Sequence, residues 1–154
     1  ESTGLAGSEY LEVVHNLISG MPTIDIYQEL ALQRTCLSLI KESIVESAHD
    51  CSDGGIAVAL AEACIDGNIG FTGEFQVCGR WDAALFGEYQ SRIIMSISPI
   101  NLEDFENICR SQNVPWFRLG KVGGNSVKIT DLIDLSLPEI RNVWHDALQI
   151  AMNG

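Results

Sequence analysis

The stretch that decides the fold is SAHDCSDGG at residues 47–55, which leads directly into IAVALAEACID at residues 56–66. The second segment is rich in alanine and is followed by Gly67, as is typical of a helix and its end. Residues 49–55 combine two carboxylates, an imidazole, a hydroxyl and two glycines in one short run. Residues 47–66 are therefore predicted to form a short strand, a tight turn and a helix.

A turn of this kind suits phosphate and metal chemistry. Its backbone N–H groups and the positive end of the helix dipole point at one place. Gly54 and Gly55 allow an anion to approach the backbone closely. Asp50 is a candidate ligand for a divalent cation, and Ser52 is a candidate phosphate contact or helix cap.

A structural interpretation of the same run is the alternative, and spacing alone favours it because short glycine-containing motifs recur by chance. In that case Ser52 or Asp53 is the N-cap of a core helix, and Gly54 and Gly55 serve close packing. A single histidine beside a strand end, here His49, is more often a structural residue than a base.

The composition describes an acidic globular protein. A chain of 154 residues with 46% hydrophobic residues is long enough for one domain, residues 1–154, with a buried core. The net charge is −12 and the nine basic residues are scattered, which argues against nucleic acid as a partner. Anionic ligands would have to be bound through backbone dipoles, a few placed cations, or a metal.

The cysteines and the termini give further expectations. The five cysteines, at positions 36, 51, 64, 78 and 109, form no Cys-x-x-Cys pair, so we expect buried thiols at 36, 64 and 109 and no zinc site. The cysteines fit a reducing compartment, and the cytoplasm is the expected location. No signal peptide and no apolar run of bilayer length is visible, so no membrane contact is expected. The chain starts at Glu1 without Met, and we expect a fragment of a larger multidomain enzyme.

Capping residues and hydrophobic periodicity predict the helices before and after the glycine turn. One helix is expected from Ser8 to Gly20, and a second from an Asp25–Gln28 capping box to about Glu46. A later helix is expected to start at Asn101 and end by Asn113. The last helix starts at the box Ser136–Glu139, and its predicted apolar face consists of Ile140, Val143, Trp144, Ala147, Leu148 and Ala151. Trp144 is predicted to be core, and His145 to be surface.

The strands are predicted from alternation and turn residues. We expect strands over residues 69–77 and 92–98, the latter with Ile93, Met95 and Ile97 on one side, and a single helical turn over residues 82–86. Residues 116–122 and 126–130 are predicted to form a hairpin. The expected fold class is α/β with an α+β-like layering, in which helices cover one face of a mixed sheet.

Four segments resemble a known family, and they occur in order over nearly the whole chain. They are HDCSDGGIAVALAE at 49–62, LFGEYQSR at 85–92, GSEYL at 7–11 and RLGKVGG at 118–124. Together they resemble the C-terminal domain of phosphoribosylformylglycinamidine synthase, in the form of its small, separate-subunit type. The AIR synthase-related C-terminal domain fold is what this resemblance implies.

The resemblance also implies a reaction. Members of the family convert formylglycinamide ribonucleotide, ATP and glutamine-derived ammonia into formylglycinamidine ribonucleotide, ADP and phosphate in purine biosynthesis. ATP and Mg²⁺ would be the cofactors. The partners would be the nucleotide substrate, the other domains of the enzyme, a glutaminase subunit and a small accessory subunit, while this chain alone would be inactive.

Roles for individual residues follow from the match by position. Asp50 would be a magnesium ligand, Ser52 a nucleotide contact, and Asp53, Gly54 and Gly55 the residues that shape the phosphate turn. The supporting residues would be His49, Glu88, Gln90, Ser91 and Arg92, through ligand contact or structural support, with Arg92 alternatively paired to an acidic neighbour. The sequence departs from the family at Cys51, usually apolar, and at Tyr89, usually small, where the ring is expected to narrow a cleft.

Two other classes of function remain open. One is a related ATP-using enzyme of the same superfamily, such as aminoimidazole ribonucleotide synthase, a hydrogenase-maturation factor or thiamine-monophosphate kinase. The Ser-Asp-Gly-Gly form with its Ala-Val-Ala-Leu-Ala-Glu continuation argues against these. The other is a non-catalytic interaction or scaffold module, which the acidic charge would suit.

Overall fold

A computed structural model describes residues 4–77 and 79–153, with the side chains of 148–151 and 153 left out of the description. Its residues separate into two compact units. Unit 1 holds the described residues within 1–59 and 77–117, and unit 2 holds those within 60–76 and 118–154. That the whole chain folds as one domain stays a prediction.

Helices and strands alternate along the chain, which confirms the α/β class. In order they are α1 (Glu9–His15), α2 (Ile26–Lys41), β1 (Val45–Asp50), α3 (Gly55–Gly67), β2 (Phe71–Gly73), α4 (Trp81–Phe86), β3 (Ile93–Ile97), a 3-10 turn (Pro99–Asn101), α5 (Leu102–Ser111), β4 (Gly120–Val122), β5 (Ser126–Ile129), β6 (Ile133–Ser136) and α6 (Leu137–Asn153). The strand, turn and helix predicted over residues 47–66 are therefore present, and α3 ends at Gly67 as expected.

The first two helices begin where their caps predict. The Ser8 hydroxyl caps α1, and the Asp25 carboxylate accepts N–H bonds from the first turn of α2. The predicted ends were wrong. Helix α1 stops at His15 because Asn16 adopts a left-handed conformation with φ 50°, well before Gly20. Helix α2 stops at Lys41, ahead of Glu46, and β1 already begins at Val45.

Strands β1 and β3 form the antiparallel sheet of unit 1, with Asp50 opposite Ile93. The buried cluster of this unit consists of Leu39, Ile44, Phe105 and Cys109. Met95 and Ile97 pack against it from β3, as their alternation predicted. The core of unit 1 thus joins α2, α5 and this sheet, and it fixes the strand that carries Asp50.

Asn101 does not cap α5 with its side chain, contrary to expectation. Its amide group donates a hydrogen bond to the carbonyl of Ile44 at 3.2 Å, across 57 residues of sequence. The 3-10 turn that precedes α5 supplies the start of the helix instead. The helix ends at Ser111, two residues before Asn113.

Unit 2 contains a four-stranded mixed sheet in the order β4-β2-β5-β6. The predicted hairpin was wrong, because β2 lies between its two strands, antiparallel to β4 and parallel to β5. Gly70 makes this insertion possible. A Cβ atom there would lie 2.4 Å from the carbonyl oxygen of Ser126 and 2.8 Å from that of Gly123, so no larger residue fits beside the connecting segment.

The capping box at the start of α6 is confirmed. The Glu139 carboxylate accepts bonds from the backbone N–H and the hydroxyl of Ser136, and the hydroxyl faces the Glu139 N–H in return. Trp144 was wrongly predicted to be core, because 50% of its surface is exposed, whereas His145 is exposed as predicted. The side chains of Leu148 and Ala151 lie outside the described residues.

Among the described residues, none of the helices combines the length and the apolar character needed to cross a bilayer.

The core of unit 1 gives a matched test of burial within α2. Leu39 is 0% exposed and Leu37 is 67% exposed. We expect Leu39→Ala to lower the free energy of unfolding by about 2–5 kcal/mol, because it leaves a cavity beside Phe105 and Cys109. Leu37→Ala, the control, should change it by less than about 0.5 kcal/mol. Urea denaturation measures both, and equal midpoints would contradict the assigned core.

Candidate functional site

The glycine turn, residues 51–55, connects the end of β1 to the start of α3. The Cys51 N–H donates to the carbonyl of Arg92 at 3.1 Å, which continues the pairing of β1 with the residue before β3. The Gly55 N–H donates to the Ser52 carbonyl, also at 3.1 Å. Gly54 and Gly55 have φ of 77° and 66°, a region that favours glycine. Glycine is therefore favoured at both positions, where the chain turns from strand to helix.

Asp50 and Ser52 form a polar pair at the entrance to this turn. The Ser52 hydroxyl donates to the Asp50 carboxylate at 2.6 Å, and both side chains are exposed. This bond directs the Ser52 hydroxyl to Asp50 instead of to the first turn of α3. Asp53 is exposed beside them, and the Nδ1 atom of His49 lies 2.9 Å from the Asp50 carbonyl oxygen.

The second glycine is packed against a distant part of the chain. A Cβ atom on Gly55 would lie 2.7 Å from the carbonyl oxygen of Gly87 and 2.9 Å from that of Leu85. Gly55 therefore serves close packing, which is one part of the structural interpretation. The same contact brings the segment after α4 directly to the turn.

Glu88 is placed by that contact to reach the turn. Its Oε1 atom accepts hydrogen bonds from the N–H of Gly54 at 2.8 Å and from the N–H of Glu9 at 2.9 Å. Its own N–H donates to the Gly4 carbonyl at 2.7 Å. The carboxylate therefore supports the turn, and it already uses the Gly54 N–H that an anion would otherwise occupy.

Arg92 bonds to the backbone of the same segment. Its guanidinium donates to the carbonyls of Gly87 and Tyr89, and its Cζ atom lies 4.6 Å above the centre of the Tyr89 ring. In the described part of the chain its partners are therefore carbonyls and a ring, in place of the acidic neighbour considered from sequence. Burial lowers the pKa of Arg92, and electrostatic interactions with Cys51 and Tyr89 raise this pKa in part.

Ser91 and Gln90 differ in what they contact. The Ser91 hydroxyl donates to the Glu29 carboxylate at 2.6 Å, which ties the segment to α2, and Ser91 has φ 60°. Gln90 is exposed. The structure thus brings Glu88 directly to the turn, places Arg92 beside Glu88, and directs Ser91 towards α2.

Three contributors to the site were not assigned a role from sequence. They are the backbone of Gly4 and of Glu9, which bond to Glu88, and the side chain of Glu29, which bonds to Ser91. The GSEYL segment, which contains Glu9, was part of the resemblance, and that match was the only signal in the sequence that pointed to Glu9. Nothing local marks Glu29, which lies 62 residues from Ser91 in sequence.

Cys51, the first residue of the turn, is a buried thiol that is 8% exposed. Burial raises its pKa to about 11, partly offset by the nearby Arg92. Cys64 and Cys109 are buried and free as expected, while Cys36 is only partly buried and also free. A neutral, buried thiol at Cys51 behaves as a small apolar residue, which explains how it replaces one.

The side chains of the turn offer few ligands for a metal ion. Within residues 4–77 and 79–153, no group of three or more His, Cys, Asp or Glu side chains is arranged to hold an ion. The exposed Asp50 carboxylate is a single ligand beside a hydroxyl. That arrangement fits Mg²⁺, which is commonly held by one or two carboxylates together with phosphate oxygens and water.

With this geometry established, the comparisons with known proteins decide the family. The model of the family "AIR synthase related protein, C-terminal domain" matches residues 1–131. The chain belongs to this family. The resemblance described from the four sequence segments is thereby confirmed.

Two relatives show how much of a longer protein the chain represents. It is 39% identical to phosphoribosylformylglycinamidine synthase subunit PurL of Synechococcus sp. strain JA-2-3B'a(2-13), over 94% of this chain and 20% of that protein. It is 38% identical to the subunit of the same name from Alkaliphilus metalliredigens, over 96% of this chain and 21% of that protein. The chain therefore spans about a fifth of the length of these relatives.

A solved structure supports the fold. Phosphoribosylformylglycinamidine synthase II of Thermotoga maritima superposes with a TM-score of 0.66 at 20% identity, over 78% of this chain and 22% of that one. The PurL of T. maritima in complex with ATP gives a TM-score of 0.67 at 18% identity, over 88% and 23%. At this identity the likeness concerns the fold alone, which is the expected AIR synthase-related one.

The packing of Gly55 gives a test of the turn within α3. We expect Gly55→Ala to lower the free energy of unfolding by more than about 1–2 kcal/mol, because a left-handed conformation and two backbone contacts oppose the methyl group. Gly67→Ala at the other end of α3, where φ is ordinary, is the control and should change it by less than about 1 kcal/mol. Thermal unfolding of both variants measures this, and a neutral Gly55→Ala would contradict the close contact.

The pKa of Cys51 predicts its reactivity. Because the thiolate is the reactive form and burial raises the pKa of Cys51 to about 11, alkylation by iodoacetamide at neutral pH should be slow. Cys36, which is more accessible, serves as the internal control. Peptide mass spectrometry after timed labelling measures both rates, and labelling of Cys51 as fast as that of Cys36 would show that the turn opens.

Proposed function

We propose that the chain is the C-terminal domain of a phosphoribosylformylglycinamidine synthase subunit of the PurL type, and that its glycine turn forms one wall of a nucleotide site. The relatives at 38–39% identity carry that name over nearly the whole of this chain. The observation that carries the proposal is the exposed Asp50–Ser52 pair on the glycine turn, within the segment HDCSDGG that first indicated the family.

The proposed reaction converts formylglycinamide ribonucleotide, ATP and glutamine-derived ammonia into formylglycinamidine ribonucleotide, ADP and phosphate. T. maritima PurL proteins are named as complexes with FGAR and with ATP, which supports these substrates for the whole subunit. Residues beyond this chain would supply the rest of the site, so the isolated chain is proposed to be inactive. A glutaminase subunit and a small accessory subunit are proposed as partners, by analogy with a protein named PurLQS of T. maritima, and the proposed location is the cytoplasm.

The turn would contact the nucleotide through Asp50 and Ser52. The Gly54 N–H is bonded to Glu88, so it does not serve as a free donor to phosphate in this arrangement. The exposed Ser52 hydroxyl donates to Asp50, and it would donate to a phosphate oxygen instead when a cation occupies the carboxylate. Asp53, Gly54 and Gly55 would shape the turn around this pair.

Mg²⁺ held by Asp50 would offset the negative charge of the phosphates. This is needed because Asp50, Asp53 and the carboxylate of Glu88 all lie on or beside the turn, and uncompensated carboxylates repel an anion. Arg92 does not supply that compensation, since its guanidinium is committed to two carbonyls and the Tyr89 ring.

Substitution of Asp50 tests the proposal in the full-length subunit. We expect Asp50→Ala to weaken binding of ATP in the presence of Mg²⁺ by about tenfold or more, the scale of losing a contact to a charged group. Asp50→Asn should lose the magnesium dependence while it keeps the bond to Ser52. Calorimetry with and without Mg²⁺ measures both effects.

Asp104, exposed on the first turn of α5, provides the control, because Asp104→Ala removes an equal charge away from the turn. Wild-type affinity and wild-type turnover in Asp50→Ala would refute the proposed site and leave only membership of the family.

A further inference from the structure

We infer that Glu88 is the positioning residue of the glycine turn. One carboxylate oxygen holds the turn at Gly54 and joins it to the backbone at Glu9. The consequence for nucleotide binding rests on the function proposed above, whereas the positioning itself rests on the geometry of this chain.

The two bonds connect parts of the chain that are far apart in sequence. Oε1 of Glu88 lies 2.8 Å from the N atom of Gly54, 34 residues away, and 2.9 Å from that of Glu9, 79 residues away. Both distances are typical of hydrogen bonds to a charged acceptor. A shared acceptor couples the two donors, because movement of the carboxylate changes both bonds at once.

The carboxylate is itself held in place from both sides. The Glu88 N–H donates to Gly4, and Arg92 donates to the carbonyls of the residues immediately before and after Glu88, namely Gly87 and Tyr89. The backbone of residue 88 is thus fixed by three bonds to other segments or side chains. A side chain that starts from a fixed backbone loses little further freedom when it binds.

Its charge also suits the place. A carboxylate at the N-terminal end of α3 interacts favourably with the helix dipole. The carboxylate occupies the position at which a phosphate would accept the Gly54 N–H, so an acceptor from the protein itself satisfies this donor. Contact with a phosphate would then fall to the Ser52 hydroxyl and to a cation held by Asp50, and the placement of both side chains depends on the conformation that Glu88 maintains.

The first experiment follows the two amide groups by NMR on the 154-residue chain. Amide hydrogen exchange at Gly54 and at Glu9 should be slow in the wild type, because both N–H groups donate to one carboxylate. In Glu88→Gln, exchange at both residues should rise together by about tenfold with the loss of the charged acceptor. Glu103→Gln, at an exposed position on α5, should leave both exchange rates as in the wild type.

The wild-type exchange rates are informative even if a variant fails to fold. Unprotected exchange at Gly54 or at Glu9 would overturn the positioning role.

The second experiment measures the affinity for ATP with Mg²⁺ in the full-length subunit. Glu88→Ala should weaken binding by about tenfold, and Glu88→Gln, which keeps an oxygen acceptor, should recover part of the loss. The KM for ATP should rise more than kcat falls, because a positioning residue does not contact the reacting atoms.

The outcomes separate the two proposals. If Asp50→Ala weakens binding and Glu88→Ala does not, the nucleotide site stands and the positioning role in binding is overturned. If neither variant weakens binding, the proposed function fails, and the hydrogen-exchange measurement alone decides whether Glu88 couples the turn to the N-terminal segment.

Discussion

At Gly55 the backbone lies so close to the segment after α4 that a Cβ atom would stand 2.7 Å from the carbonyl oxygen of Gly87 and 2.9 Å from that of Leu85. Side-chain atoms are excluded there, so the two backbone segments are in direct contact. Glu88 follows directly and meets the Gly54 N–H. The turn is also held by the pairing of β1 with β3 and by the hydrogen bond from the Cys51 N–H to the Arg92 carbonyl. The position of the Asp50–Ser52 pair follows from these contacts.

The same contacts bear on how a chain of net charge −12 would bind an anion at the proposed site. A glycine turn at a helix start attracts anions through its N–H groups, yet here the Glu88 carboxylate already accepts the Gly54 N–H. In the proposed site, recognition would depend on the Ser52 hydroxyl and on a cation held by Asp50. Such a site would favour a phosphate bound to its metal over a bare anion, because the local carboxylates repel the latter.

Local signals in the sequence were sufficient for most of the elements. Ser8, Asp25 and the Ser136 box marked helix starts correctly because an N-cap is satisfied within its own first turn. Helix ends were less predictable, since Asn16 and Ser43 follow α1 and α2 in left-handed conformations, whereas the ends were expected at Gly20 and near Glu46. The hairpin around Gly123 and Gly124 failed for a non-local reason, namely that β2, some fifty residues earlier in the chain, pairs between its strands.

The same division between local and non-local information applies to the site. The residue types at positions 50–55 identified the turn, and the family match confirmed its context. The two hydrogen bonds that Glu88 accepts were not visible in the sequence, because their donors are backbone groups 34 and 79 residues away. A backbone donor carries no side-chain signature. Trp144 shows the opposite error: helical periodicity indicates which residues share a face, and it does not indicate whether this chain covers that face.

Tyr89 shows how a departure from the family pattern is accommodated. The Tyr89 ring lies beneath the Arg92 guanidinium, and it lies so close to Gly4 that a Cβ atom there would be 2.1 Å from Cε2. The large side chain therefore requires a residue without a side chain at position 4. The Gly4 carbonyl also accepts the Glu88 N–H. Gly4 therefore provides both the space that the Tyr89 ring needs and a hydrogen bond that fixes the backbone of Glu88.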